Sequence, residues 1–108
     1  MSLTSNLVSA AALTVDLEHA DALGIGVNDH SISIQVSRFN GLSVGARRAL
    51  VDYLADRYDD PAIRSDTDYK DLDDDTWGNY VTTGRYDGVP VTVWTAVTHA
   101  EHVTAVTV

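Results

Sequence analysis

Two residues, Asp87 and Gly88, do most to limit what this chain can fold into. They separate two runs rich in β-branched and aromatic residues, 80–86 and 89–97. Asp-Gly suits a two-residue type I′ turn, in which both central residues take positive φ. Such a turn sets the register of the hairpin. Tyr86 is expected opposite Val89, Gly84 opposite Val91, Thr82 opposite Val93 and Tyr80 opposite Thr95. Alternation then places Val89, Val91, Val93 and Val97 on one face, and Val81, Thr83, Arg85, Thr92 and Trp94 on the other. The valine face is the expected core face, because β-branched aliphatic side chains pack well on a pleated surface. Pro90 cannot donate to a ladder. Either this part of the strand lies at a sheet edge, or its nitrogen points away from its partner.

The remaining chain supplies helices to cover that face. Residues 5–23 read as a helix, capped by Thr4 or Ser5 and stopped by Gly24 and Gly26. Its apolar positions form two stripes: Ala10, Leu13, Leu17 and Ala20, and Val8, Ala11, Val15 and Ala22. A helix lying on a core needs one stripe. The second is either half-exposed or meets another element or a partner chain. Residues 31–37 alternate without error, Ile32, Ile34 and Val36 facing in and Ser31, Ser33, Gln35 and Ser37 facing out, as in a half-buried strand. Asn40-Gly41 makes a turn, Ser43 is a helix cap, and residues 44–58 form a second helix. Its apolar arc holds Ala46, Ala49, Leu50, Tyr53 and Leu54, and Arg48 and Asp52 are spaced i,i+4. Arg47 and Arg57 fall inside the arc and are expected to lay their stems over apolar surface with the heads in water.

Residues 59–76 form a long acidic connection with room for a short helical turn at 61–64 or 68–72. Residues 98–101 have capping-box spacing, yet the β-branched end that follows prefers a strand, so this last element is a helix or a strand. The expected fold is α+β: a small two-layer, single domain over residues 1–108. Its order is α-β-α-β-β plus the C-terminal element, with helices on one face of a mainly antiparallel sheet.

Charge narrows the function classes. Sixteen acidic residues against seven basic give a net charge of −9, which repels nucleic acid and anionic membranes. There is no cysteine for disulfides or thiolate chemistry. The apolar run at 7–15 is too short to span a bilayer and is flanked wrongly for a signal peptide, so a soluble, cytoplasmic protein is expected.

No motif assigns a catalytic site, a metal or a cofactor. The aspartates between 66 and 75 fit no EF-hand register, since Lys70 or Thr76 falls where a ligand or glycine is needed. His99 and His102 are spaced i,i+3 with Glu101 misplaced for a zincin. Gly24-Ile25-Gly26 lacks the third glycine of a dinucleotide fingerprint. What remains is an aromatic group around the hairpin. With Arg85 and Val81, Trp94 would form a patch of the residue types enriched at interface hot spots. The candidate partner-binding residues are Trp94, Arg85, Val81, Trp77 and Tyr80, with Asp71, Asp73, Asp74 and Asp75 of the acidic loop. The chain is therefore read as a non-enzymatic interaction protein that binds a protein partner through the hairpin face and acidic loop, and as a candidate homodimer. The alternatives are a small-molecule-binding domain or small enzyme with a pocket between sheet and helices, using Arg47, Arg85 or His30, and an acidic nucleic-acid mimic.

Overall fold

The computed structural model describes residues 3–14, 23–37, 42–66 and 77–98. In chain order they form α1 (Leu3–Leu13), β1 (Leu23–Val27), β2 (Ile32–Val36), α2 (Val44–Ala55), β3 (Ile63–Asp66), β4 (Trp77–Tyr86) and β5 (Val89–Thr98). The strands make one sheet in the order β1-β2-β5-β4-β3. β2 and β5 run parallel, and the other neighbours are antiparallel. The class is α+β, as expected.

The hairpin forms in its expected register. Asp87 and Gly88 take φ of 53° and 77°, and the four pairs named above all occur. β5 is a central strand, so Pro90 does not mark an edge. It stands opposite Arg85, next to the closing pair Tyr86 and Val89. Beside the hydrogen-bonded pair that closes a two-residue turn, the next pair is non-hydrogen-bonded, and its backbone points outward. The ladder to β2 begins one residue later, with Val91 opposite Ile32, so no strand is deprived of a donor.

Burial along β5 alternates over its whole length. Val89, Val91, Val93 and Val97 are buried with Ile32, Ile34 and Val36 of β2, Ala10 and Leu13 of α1, and Val51, Leu54 and Ala55 of α2. Ser43 caps α2 by accepting from the Ala46 N–H at 3.1 Å. Arg57 donates to the Leu13 carbonyl at 2.6 Å, at the C-terminal end of α1, and to the Tyr53 hydroxyl at 2.9 Å. Tyr53 itself leaves the core: half-exposed, it lies under the Arg57 guanidinium.

Three expectations are corrected. Residues 23–27 are a strand and not the end of the first helix. Leu23, Ile25 and Val27 alternate with two glycines and pair with β2. Residues 63–66 form an edge strand on β4 where a loop or helical turn was expected. Arg47 does not keep its head in water: it is 1 % exposed. Its Nε donates to Thr95 Oγ1 at 3.1 Å, and its terminal nitrogens donate to the Leu42 and Ala96 carbonyls at 3.0 and 3.3 Å. Thr95 Oγ1 in turn donates to the Val36 carbonyl at 2.9 Å. The second halves of both α1 stripes (Val15, Leu17, Ala20, Ala22) and the C-terminal element from 99 onward lie outside the described residues.

Gly84 has a packing reason. Tyr58 lies against its backbone on the helix side, and a Cβ there would overlap the ring at Cδ2, Cε2 and Cγ. The Tyr58 hydroxyl is fixed 3.0 Å from Thr82 Oγ1, which donates to the Val93 carbonyl. The ring therefore cannot step aside without breaking this chain. Gly84→Ala is expected to cost about 1–3 kcal/mol of unfolding free energy, read from urea denaturation. In a Tyr58→Ala background the same change should cost much less. Equal costs in both backgrounds would show that the ring is not what the glycine accommodates.

Candidate interaction face

The register that buries the valines turns the alternate positions outward. Across the sheet these are Gly24 and Gly26 of β1, Ser33 and Gln35 of β2, Thr92, Trp94 and Ala96 of β5, Asn79, Val81, Thr83 and Arg85 of β4, and Ile63 and Ser65 of β3. Both helices lie on the other side, where the buried residues are. Trp94 sits at the middle of this outer face, opposite Val81 and beside Gln35. Trp94, Val81, Thr83 and Thr92 are half-buried, while Gln35 and Arg85 are exposed. Ile63 is 72 % exposed and stands opposite Thr83. Towards the hairpin end a shallow groove runs between Pro61, Ile63, Thr83, Arg85 and Pro90, with Asp60 at its rim. Arg85 is steadied there by donating to the Gly88 carbonyl at 3.3 Å.

Trp94, Arg85 and Val81 of the sequence-derived set are therefore brought onto one face. Trp77 begins β4 opposite Thr98. Asp71, Asp73, Asp74 and Asp75 lie outside the described residues. Tyr80 does not join Trp94. It is on the helix-covered face, opposite Thr95. Ile63 and Thr83 complete the patch; the sequence signal for Ile63 was a large apolar residue two positions after Pro61 in an acidic stretch.

Tyr80 belongs to a polar cluster that closes β3 against α2. Its hydroxyl donates to Asp52 Oδ1 at 2.5 Å, and Arg64 Nε donates to the same oxygen at 3.2 Å. Arg48 lies over the Tyr80 ring at 5.6 Å and reaches Asp66 at 3.5 Å. Arg48 and Asp52, spaced to pair along the helix, thus each hold a residue of β3. Burial pushes the Tyr80 phenol above its ordinary range, the Asp52 carboxylate adds to this, and Arg64 opposes it. Asp52 and Tyr80 raise the pKa of Arg64, which stays charged. Among the described residues no group of three or more histidines or acids is placed to hold a metal ion, and no helix is long and apolar enough to cross a membrane. His30 is exposed and sits 3.4 Å from Asp29.

Compared with known proteins, the chain matches no family model, no curated protein and no solved structure.

The Tyr80 cluster has a pH signature. Its folded pKa lies above the unfolded value of 10.0. Its contribution to stability is therefore complete below pH 10.0 and is lost as pH rises through the folded value. Urea midpoints measured across the alkaline range should fall, and Tyr80→Phe should fall less steeply. An equal slope in that variant would contradict the Asp52–Tyr80 contact.

Proposed function

We propose that this protein is a non-enzymatic interaction module that docks a protein partner on the outer face of its sheet, with Trp94 as the anchor. One observation carries the reading: the helices occupy one side, and Trp94, Val81 and Ile63 lie together on the other with Arg85 at the margin. A partly sunk tryptophan surrounded by small β-branched side chains offers apolar area at low entropic cost, and Arg adds a directional donor. The net charge of −9 and the acidic run at Asp71, Asp73, Asp74 and Asp75 favour a partner with a basic rim and disfavour nucleic acid or anionic lipid. Beneath the central strands the space is filled by Leu13, Ile34, Val51, Leu54 and Val93, which argues for recognition on the outer face and against a ligand pocket under β2 and β5.

The test is affinity capture from the source organism's lysate with wild-type protein and with Trp94→Ala in parallel. A captured partner should bind the variant about 30-fold or more weakly, as expected when a hot-spot aromatic is truncated. The variant should still unfold cooperatively. A partner that binds both equally, or loss of cooperative unfolding in Trp94→Ala, would overturn the reading.

A further inference from the structure

The two edges of the sheet are built differently. β3 is four residues long and carries Arg64 and Asp66, both engaged by α2. Shortness and charge are the devices that keep an edge from pairing with another chain. β1 has no charge and no proline in Leu23–Val27, and no described strand lies on its outer side. α1, beside it, contains no ionisable side chain either. Between the two runs an apolar groove lined by Leu7, Ala10, Ala11, Thr14, Ile25 and Val27. Six large hydrophobic side chains are exposed among the described residues, and four of them (Leu3, Leu7, Val8 and Ile25) are in this corner.

We infer that β1 and α1 form a homodimerisation surface: β1 pairs antiparallel with β1 of a second copy across a two-fold axis near Ile25, and Leu7 and Val8 pack across the seam. Backbone donors and acceptors on an open strand edge are met by another extended strand. A copy of this chain can own that strand because the contact surface is locally uncharged: two molecules of net charge −9 repel elsewhere, but neither α1 nor β1 carries an ionisable group. Antiparallel pairing of a strand with itself is also what a closed two-fold dimer requires. Eleven helical residues and five strand residues are each about 17 Å long. Together they give a contact at the small end of specific interfaces, about 1,000 Å² in total. The dimer joins two sheets of five strands into one of ten. It leaves the Trp94 face free, so it stands independently of the partner proposed above.

Sedimentation velocity of the full chain over a concentration series tests this. A monomer–dimer equilibrium is expected, with Kd on the order of 10 µM. Ile25→Glu should weaken it at least about 100-fold, since it buries two carboxylates at the axis, while the thermal transition stays cooperative. If Ile25→Glu does not fold, Leu7→Glu on the exposed side of α1 takes its place. The chain has no cysteine, so Ile25→Cys under mild oxidation should yield one disulfide-linked dimer, because opposed residues at such an axis bring their Cβ atoms within bonding range. Trp94→Ala should leave the dimer intact. A monomer at all concentrations up to about 1 mM would overturn the inference. So would a dimer that survives both glutamate variants, or one that dissociates in Trp94→Ala.

Discussion

The positive φ of Asp87 and Gly88 decides which side of the sheet is interior. The turn pairs Tyr86 with Val89, and every later pair in the hairpin follows from that one. A slip of one residue would exchange the faces, sending Trp94 under the helices and the valines into water. The turn is also braced from outside. Ser9 of α1 donates to the Asp87 carboxylate at 3.2 Å, and the Gly88 N–H donates to the Asp59 carboxylate at 3.1 Å. Asp59 donates its own N–H to the Arg85 carbonyl at 2.7 Å. The segment that sets the register is thus held by α1 and by the residues that follow α2.

A second constraint is the polar layer inside the valine face. The series Val89, Val91, Val93 breaks at Thr95 and resumes at Val97. Thr95 takes the Arg47 Nε–H and gives its own proton to the Val36 carbonyl, so one hydroxyl links α2, β5 and β2. Thr82 of β4 does the same between Tyr58 and the Val93 carbonyl. Burying a guanidinium is costly unless its donors are met. Here three of its nitrogens are met by strand and loop oxygens, which turns the cost into a directional clamp between helix and sheet. Leu, Val and Ile could pack this helix in several registers; Arg47 fits one.

What was legible in the sequence was local. The hairpin register follows from a dipeptide, β2 from an unbroken alternation, and α2 from Ser43 and a helical period. What was missed depends on partners far along the chain. Gly24 and Gly26 suit a helix stop and an edge strand equally well; only pairing with residues 32–36 decides between them. β3 is too short to show a period, and it is held by Asp52 and Arg48, side chains 12 and 18 residues away from Arg64 and Asp66. The fate of Arg47 rests on Thr95, 48 residues later. Tyr80 is different, because alternation already put it on the valine side, and grouping it with Trp94 rested on nearness in sequence alone.

Among the described residues, the helices lie over one face of the sheet and no element lies over the other, with Trp94 at the middle of that second face. The most direct measurement of that arrangement is Trp94 fluorescence in a Trp77→Phe background, where it is the sole remaining tryptophan of two. An open face predicts red-shifted emission that acrylamide quenches readily in the free protein, and a blue shift with protection once a partner binds. Blue-shifted, quencher-resistant emission from the free protein would mean the face is covered within the chain itself, and the proposed docking surface would not exist.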